Sequence, residues 1–472
     1  MTEFDEQVLP GHHRSADPTD IYDEDGSIRS DFLAIVGAAI ADRDVLFLRE
    51  RVAGLHASEL GHLIEAIHPD QRLPMITLMG DQFDMTALTE VDESIRLQIV
   101  DQMPNEQIAA GIGEIDSDDA VYILEDLDQE DQDEILAQLP FTERVRLRRA
   151  LDYPESSAGR RMQTEFVAVP PFWTVGQTID YMHDEEELPE HFTQIFVIDP
   201  TFKLLGVVNL DRILRTKRQL KIETIMRDTN HPIRGDMDQE EAAQVFEQYD
   251  LLSAAVVDES GRLVGVLTID DVVDVIQEEA EEDLMRLGGV GDEELSDSIT
   301  EISRSRVSWL LVNLLTAILA ASVISLFSAT IEQIVALAVL MPIVAGMGGN
   351  AASQTMTVTV RALATRNLDI HNAWRVVRRE AGVGLINGAV FGILIGAIAG
   401  LWFQDPNIGG IIASAMLINM LAAAIAGILI PLLLDKIGAD PAVSSTVFVT
   451  TVTDVTGFFS FLGLASWWFG IH

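Results

Sequence analysis

The chain has 472 residues with 75 acidic and 31 basic side chains, which gives a net charge of −44, and it contains no cysteine. This length exceeds that of one ordinary domain. A protein that binds nucleic acid needs a basic surface, and the charge balance therefore excludes nucleic acid as a partner. The lack of cysteine excludes disulfide bonds and thiolate metal sites, and it fits a soluble part that stays in the cytoplasm.

The charge is distributed very unevenly along the chain. Residues 301–472 contain eight acidic and eight basic side chains, so the whole excess of acid lies in residues 1–300. The composition therefore predicts a soluble acidic part followed by a neutral apolar part. The sequence leaves two explanations of the acidity open, which are the binding of cations and the adaptation of a protein surface to concentrated salt.

The first 160 residues have no strand pattern. Residues 1–30 are acidic and irregular, which predicts a disordered tail, and they contain no apolar core of the signal-peptide kind. From residue 31 to residue 160, apolar side chains recur every three or four positions in short segments that end near proline or glycine, as before Pro104 and Pro140. This period predicts an acidic all-α helical array.

An internal repeat occupies residues 161–276. Residues 196–214 align without gaps on residues 255–273, at an offset of 59. Each copy has the pattern of strand, turn, strand and helix after an amphipathic helix, which predicts two α/β units that pack face to face around a cleft. Residues 277–305 follow as a charged helical linker, interrupted by glycines at 288 and 289.

The last part of the chain, residues 306–472, contains apolar segments that are long enough to cross a bilayer as helices. The five segments are Val307–Phe327, Ile334–Val360, Val383–Phe403, Ile411–Leu434 and Val447–Gly470. Basic residues precede the first segment and occur in the loops after the second and the fourth, but not in the other two loops. The positive-inside rule therefore places the N-terminus in the cytoplasm and the C-terminus outside a multi-pass membrane protein.

Two of these segments contain polar residues at membrane depth. Asp454 lies in the middle of the fifth segment among threonines such as Thr450, although a charge there costs about 2.5–3.5 kcal/mol. The second segment contains Pro342, Gly346 and Gly349. Irregular polar backbone is tolerated in a membrane against protein or water, so we expect both segments to line a cation pathway. The alternatives are an aspartate that hydrogen-bonds neighbouring helices and close packing through small residues.

The repeat resembles a tandem pair of CBS modules, a regulatory fold that often binds adenosine nucleotides or metal ions. In the second copy, Thr268 and Asp271 occupy the positions that such modules use for a ribose. The first copy departs from this pattern because Asn209 and Arg212 stand at the equivalent positions. The resemblance therefore implies ATP as a possible ligand of the pair, with Thr268 and Asp271 as the binding residues.

The whole arrangement is similar to that of the MgtE family of magnesium channels. The resemblance rests on the order of the parts, on the stretches 341–355 and 439–443, and on the surroundings of Asp454. It implies a multidomain membrane protein with a cytoplasmic all-α helical array, an α/β tandem CBS pair, a linker helix and a five-helix transmembrane bundle. It also implies a homodimer in the cell membrane that conducts hydrated Mg²⁺ through one pore. Asp454 matches the pore carboxylate of the family, and Asn350 and Thr357 match polar positions near its cytoplasmic side.

The charge map and the resemblance together suggest how the pore would close. Without cations the acidic parts should repel each other, whereas bound Mg²⁺ would draw them together and press the linker against the pore. The candidate ligands for regulatory Mg²⁺ are Asp116, Asp119, Glu125, Asp126, Glu278, Glu281, Glu282, Asp297 and Asp440. Asp440, which precedes the fifth segment, is also a candidate anchor for the linker.

Other functions remain as alternatives. In a proton- or sodium-coupled secondary transporter of divalent cations, Asp454 would be the titrating site. A salt-responsive receptor without transport is a further alternative. An intramembrane enzyme is not expected, because the chain has neither a His-Glu-x-x-His zinc motif nor a Gly-x-Ser-x-Gly elbow. The expected partners are divalent cations, membrane lipid and a second copy of the chain.

Overall fold

A computed structural model describes residues 21–23, 25–185, 188–189, 191–228, 231–288, 290, 299–364, 368, 373–437 and 441–471. Two compact units make up the chain, residues 1–278 and residues 279–472. The expected residues Asp297 and Asp440 lie outside the described residues.

The first half of unit one is helical, as the apolar period predicts. Its helices are α1 (Ser30–Asp42), α2 (Val45–Phe47), α3 (Ala57–Ala66), α4 (Pro69–Met79), α5 (Glu93–Val100), α6 (Asn105–Ile112), α7 (Ser117–Glu125), α8 (Gln129–Gln138) and α9 (Phe141–Leu151). A π-helical turn, Leu48–Val52, and two 3₁₀ turns, Gly80–Gln82 and Met85–Leu88, complete it. Side chains cap the N-termini of several helices. The Asp128 carboxylate accepts hydrogen bonds from amides in the first turn of α8, and His56 and Glu59 form a capping box on α3.

The end of the segment that the sequence predicts to be disordered has a defined structure. Residues 1–20 lie outside the described residues, but Ile21 is only 3% exposed and belongs to the core of the helical array. Tyr22 and Ile28 form an antiparallel bridge around a turn in which Asp23 accepts the amides of Asp25 and Ser27. This corrects the prediction for residues 21–30, because one apolar side chain and one Asx turn order a segment whose composition is otherwise polar.

The two repeats form two small sheets with the same topology. Their strands are β1 (Ala168–Val169), β2 (Gln194–Ile198), β3 (Leu204–Asn209), β4 (Ile233–Arg234), β5 (Ser253–Val257) and β6 (Leu263–Thr268), and their helices are α10 (Val175–Asp184), α11 (Leu210–Leu214), α12 (Gln239–Tyr249) and α13 (Ile269–Gly288). In each sheet the first strand is parallel and the third antiparallel to the middle strand. A shared cluster that includes Phe196, Ala255 and Leu263 joins the copies face to face, as the repeat predicts.

The linker differs from its prediction at its start. α13 begins at Ile269 inside the second repeat and runs without a break to Gly288, rather than starting near residue 277. The charged residues after Ile276 continue the same helical period, so nothing in the local sequence ends the helix before the two glycines.

Unit two contains the predicted membrane helices. They are α14 (Ile299–Ser325), α16 (Val335–Ala364), α17 (Ala373–Trp402), α18 (Pro406–Lys436) and α19 (Pro441–Phe469), with a short α15 (Ser328–Gln333) between the first two. Among the described residues, these five long helices are apolar enough to cross a membrane. Most extend several residues beyond the predicted segments, since polar residues continue the helix past the apolar stretch. Pro342 lies inside α16 and does not interrupt it, so the expected irregular backbone is absent from this described segment.

Candidate ion pathway and carboxylate cluster

Asp454 lies near the middle of α19, at the level that the sequence predicts for a charge inside the membrane. Its side chain is half-buried, and no described residue hydrogen-bonds to its carboxylate. Thr450, one turn earlier, is exposed. An unpartnered carboxylate at this depth is stable only if it meets water, a cation or another protein surface.

α16 has two different faces. Val344, Gly348 and Ala352 are buried against the rest of the bundle, whereas Asn350 and Thr357 are exposed. The faces differ because side chains three and four residues apart share one side of a helix.

The glycines of α16 divide in the same way. A Cβ on Gly346 or Gly349 would meet nothing within 4 Å, whereas one on Gly348 would overlap a neighbouring helix. Close packing within the chain therefore explains Gly348 but not Gly346 or Gly349. Gly346 shares the exposed side with Asn350, so the polar face of α16 is uncovered in a single chain.

The threonine hydroxyls of both helices donate to their own backbones. Thr357 donates to Ser353 O at 2.9 Å, Thr451 to Val447 O at 2.6 Å and Thr453 to Thr450 O at 2.9 Å. Each hydroxyl oxygen can still accept a hydrogen bond. Thr357, on the exposed face of α16, is suited to contact the protons of ion-bound water, whereas Thr453 is fully buried.

The end of α13 contacts the membrane helices α16 and α19 within unit two. Leu287 is partly buried against a cluster that contains Ala352, Met356 and Val449. Its carbonyl oxygen accepts a hydrogen bond from Thr446 Oγ1 at 3.2 Å. The linker therefore makes an apolar contact and a polar contact with the helices that carry Asn350 and Asp454.

Unit one contains a cluster of carboxylates between α7 and the start of α13. Asp118 is buried, one of its oxygens has no hydrogen-bond partner, and its carboxyl meets that of Asp271. Burial, followed by the charge of Asp271, raises the pKa of Asp118 well above its ordinary value. For the same two causes the pKa of Asp119 is raised to about 7. Burial raises the pKa of Asp271 to about 6 against the hydrogen bond from Thr268.

Sequence reasoning identified Asp116, Asp119 and Asp271 but missed Asp118. Helix periodicity, which places residue 118 on the same side as the buried Val121, is the signal that could have found it. Within the described ranges, no three acidic or histidine side chains are arranged as a metal site. The buried carboxylates nevertheless need protons or a cation, because burial penalises their charge.

Arginine side chains lie close to most of the other carboxylates that the sequence predicts as ligands of regulatory Mg²⁺. Glu125 lies 3.5 Å from Arg160, and burial raises its pKa to about 7. Asp126 pairs with the buried Arg96 at 2.6 Å. Glu278 pairs with Arg161 at 2.9 Å.

The remaining expected ligands have separate positions. Glu282 pairs with Arg286 on α13, where Glu281 also lies, and Asp116 is the residue before α7. Asp126, Glu278 and Glu282 are thus engaged in ion pairs with arginine, and their role as ligands of Mg²⁺ stays a prediction. The first two pairs join segments that are distant in the chain, and such pairing is not visible in a single sequence.

A cavity of about 160 Å³ opens between the two repeats. Thr268 lines it together with Phe166, Phe196 and Asp270. Asp271 is not among its lining residues, because its carboxyl is directed to Thr268 and Asp118. The structure therefore contains the predicted cleft, but of the two predicted nucleotide-binding residues, which are hydrogen-bonded to each other, only Thr268 lines it.

The position equivalent to this motif in the first repeat has a different chemistry. Asn209 and Arg212 line a second cavity of about 290 Å³ with Arg215 and Arg227. Where the second repeat has the carboxylate of Asp271, the first repeat therefore has the guanidinium of Arg212, and this guanidinium lines a cavity.

Models of known families match the helical array, the two repeats and most of the membrane part of the chain. The model of the divalent cation transporter family MgtE matches residues 341–464, the MgtE intracellular N domain matches residues 55–156, and the CBS domain matches residues 158–218 and 222–278. These matches confirm the predicted resemblance and the predicted fold class, including the CBS pair.

Curated relatives cover most of the chain. The magnesium transporter MgtE of Thermus thermophilus is 30% identical over 434 residues, which are 90% of this chain and 96% of the relative. MgtE of Enterococcus faecalis is 33% identical over 68% of this chain and 71% of its own length. A crystal structure of the cytosolic domain of the Mg²⁺ channel MgtE in complex with ATP is 27% identical, with a TM-score of 0.48, and covers 52% of this chain and 99% of that chain.

These relatives are transporters and not enzymes, and divalent cations are their substrates. The transporter model matches the part of the chain that carries Asp454 and the exposed face of α16. The chain is a multi-pass membrane protein that belongs to the MgtE family of magnesium transporters.

Proposed function

We propose that the chain is a channel that conducts hydrated Mg²⁺ into the cytoplasm through one pore on the axis of a homodimer. The observation that supports this most is the exposed polar face of α16, with Gly346, Asn350 and Thr357, in the same bundle as the unpartnered Asp454. Polar groups that face lipid lose the hydrogen bonds they make with water. A second copy of the chain, with water between the two faces, would cover these groups without that loss.

The available donors suit an ion that keeps its water. Mg²⁺ sheds its ligand waters reluctantly and is usually bound through only one or two carboxylates. Two copies of Asp454 would supply two carboxylates across the axis, and Thr450 and Asn350 would accept hydrogen bonds from the remaining waters. The carboxylates would thus act mainly through water, which keeps binding weak enough for the ion to leave.

The basic residues support an orientation in the cell membrane. Arg375, Arg378 and Arg379 lie in the first two turns of α17, and Lys436 is the last residue of α18. Placing these ends in the cytoplasm, as the positive-inside rule requires, places α13 and unit one there and the C-terminus outside.

We further propose that cytoplasmic Mg²⁺ closes this pore by binding to unit one. The residues that would draw together around the ion are Asp118, Asp119 and Asp271, of which Asp118 has a buried oxygen without a partner; in the described structure their carboxylates are not yet arranged as a metal site. A bound cation would neutralise the charge of these carboxylates in place of the protons that allow them to lie close together. Asp271 lies in the first turn of α13, whose last turn carries Leu287, so the same helix would communicate the bound state to the pore helices.

The cavity between the repeats is the proposed site of an adenosine nucleotide. Phe166 and Phe196 offer aromatic surfaces to a base, and Thr268 offers a hydroxyl to the ribose. Because Asp271 is engaged elsewhere, we assign the ribose contact to the adjacent Asp270, which lines this cavity together with Asp116 and Glu165. Titration of the full-length protein with ATP, with Thr268→Val as the variant, tests this assignment; equal affinity of the variant would contradict it.

Flux of Mg²⁺ into vesicles that contain the purified protein tests the pore. Asp454→Asn removes the charge and keeps the shape, and we expect the initial rate to fall at least about tenfold, which corresponds to about 1.4 kcal/mol. Asp405→Asn is the matched control, since Asp405 caps α18 through the amide of Asn407 at 2.8 Å and asparagine caps helices equally well. Unchanged flux in the Asp454 variant, or an equal loss in the control, would contradict the proposal.

The same vesicles separate a channel from a coupled carrier. A channel passes Mg²⁺ as an electric current that follows the Mg²⁺ gradient in the absence of any proton or sodium gradient. Transport that requires one of those gradients would instead favour the secondary transporter. Closure by Mg²⁺ is tested by limited proteolysis of residues 277–300 with and without millimolar Mg²⁺, and unchanged cleavage would argue against the gate.

A further inference from the structure

Asn419 is a polar side chain that lies fully buried in the centre of the membrane bundle. It belongs to α18 and lies between Gly348 of α16 and Gly457 of α19. A Cβ built on Gly348 would lie 2.1 Å from Asn419 Nδ2, and one built on Gly457 would lie 2.8 Å from the same atom. Three helices therefore meet around one amide, and both neighbours must be glycine for it to fit.

The amide is only partly satisfied. Its Nδ2 donates a hydrogen bond to the carbonyl oxygen of Val344 on α16 at 2.8 Å. Its Oδ1 is buried and has no hydrogen-bond partner in the described part of the chain. Leaving such an acceptor unpaired costs about 1–3 kcal/mol, so a buried group of this kind usually serves a function or binds water.

The position of Asn419 relates it to the proposed pore. Gly348, Asn419 and Gly457 each lie close to the middle of their helices. Asn350 follows Gly348 by two residues, and Asp454 precedes Gly457 by three, which is about one helical turn. The amide therefore joins α16 to α19 at the level where these two helices carry their polar groups.

We propose that Asn419 is a positioning residue for ion selection. It sets the height and spacing of α16 against α19, and so of Asn350 against Asp454, without touching the ion itself; its Oδ1 accepts a hydrogen bond from a buried water. This inference rests on the proposed pore function. A site for a hydrated ion must be held to within about 0.5 Å, and an apolar contact that slides would not hold it.

Selectivity is the first measurement, because a purely structural role would not change it. Asn419→Leu keeps the approximate shape but removes both hydrogen-bonding groups. In vesicles that contain the full-length variant, we expect the ratio of Mg²⁺ flux to Ca²⁺ flux to change at least about fivefold. A fivefold change corresponds to a free-energy difference of about 0.9 kcal/mol. The control is Gly392→Ala on α17, where the new Cβ would lie 2.8 Å from the carbonyl oxygen of Ala413. It disturbs helix packing as strongly, but between α17 and α18, and we expect its flux ratio to equal that of the wild type.

A double-mutant cycle tests the junction by thermal stability alone. Gly348→Ala should lower the melting temperature of the full-length protein in detergent by about 5 °C or more, since its Cβ collides with the amide. In the background of Asn419→Ala, which removes the amide, the same substitution should have little effect. Additive effects of the two changes would overturn the proposed junction.

The two measurements separate the possible failures. If the wild type conducts no Mg²⁺, the proposed channel fails, while the cycle still decides whether the junction exists. If the wild type conducts and the cycle is non-additive, but Asn419→Leu keeps the wild-type flux ratio in folded protein, the positioning role is overturned. A change of the ratio in the Gly392 control of the same size would also overturn it.

Discussion

The carboxylate of Asp119 makes the stability of unit one depend on pH in a direction that is unusual for an acidic residue. Burial, the charge of Asp271 and the charge of Asp116 raise its pKa from 3.8 to about 7. The folded protein therefore holds this proton up to neutral pH, whereas the unfolded chain releases it near pH 4. The contribution of Asp119 to stability is complete below about pH 4 and is lost as the pH rises to about 7.

The size of this effect follows from the shift. A difference of about three pKa units corresponds to about 4 kcal/mol, and we take about half of this, about 2 kcal/mol, because Asp119 is partly exposed and screened by solvent. Asp119→Asn carries no charge at any pH and imitates the protonated acid. In the absence of divalent cations, we expect the variant to be more stable than the wild type by about 2 kcal/mol at pH 8 and by little at pH 4.

Hydrogen exchange of the α7 amides in the full-length protein, corrected for the intrinsic pH dependence of exchange, measures this difference. The expected loss of protection in the wild type between pH 4 and pH 8 is about thirtyfold, which is about 2 kcal/mol. Millimolar Mg²⁺ should restore protection at pH 8 in the wild type and much less in the variant. Equal corrected protection of the wild type at both pH values would refute the reasoning, as would an unchanged pH dependence in the variant.

Three other outcomes follow from particular contacts. In denaturant unfolding, Arg96→Leu should lower the free energy of unfolding of unit one by about 3–5 kcal/mol, because Asp126 then lacks its partner. Arg148→Leu, which removes an exposed ion pair, should lower it by less than about 1 kcal/mol. Similar losses in the two variants would contradict this prediction. Leu287→Asp should weaken the inhibition of flux by internal Mg²⁺, since a charge cannot remain in the apolar cluster, and unaltered inhibition would count against the role of α13. Gly265→Ala should destabilise the second repeat by more than about 1 kcal/mol, because its Cβ would lie 2.6 Å from the backbone oxygen of Gln163. A variant as stable as the wild type would show that the backbone can move apart at this contact.

Some parts of this molecule were predictable because their signals are local or periodic. An apolar stretch of more than twenty residues can satisfy its backbone in a membrane only as a helix, so five spans follow from hydropathy. The repeat at an offset of 59 residues predicted two equivalent sheets, and the pairing of Phe196 with Val207 recurs as that of Ala255 with Val266. Asp454 was identifiable because a charge inside an apolar helix is costly and therefore conspicuous.

Other parts depend on residues that are far apart in the chain. The sequence shows many carboxylates in residues 1–300, but only the fold determines that Arg96 neutralises Asp126 while Asp118 and Asp271 share a buried space. The irregular backbone that Pro342 predicts is also absent, because α16 continues through this proline without a break. The shift of a pKa depends on the burial and on the neighbours that folding creates, and composition contains neither.

The sequence by itself determined the order of the domains, the number of membrane helices and the charge at the centre of the last one, because each depends on the solvent that a local segment must enter. Only the tertiary structure decided which face of α16 stays uncovered, which carboxylates remain without arginine and which amide lies between two glycines. These properties arise from the packing of side chains whose positions in the sequence carry no common pattern. A single asparagine in an apolar helix acquires its significance only when Gly348 and Gly457 are brought against it.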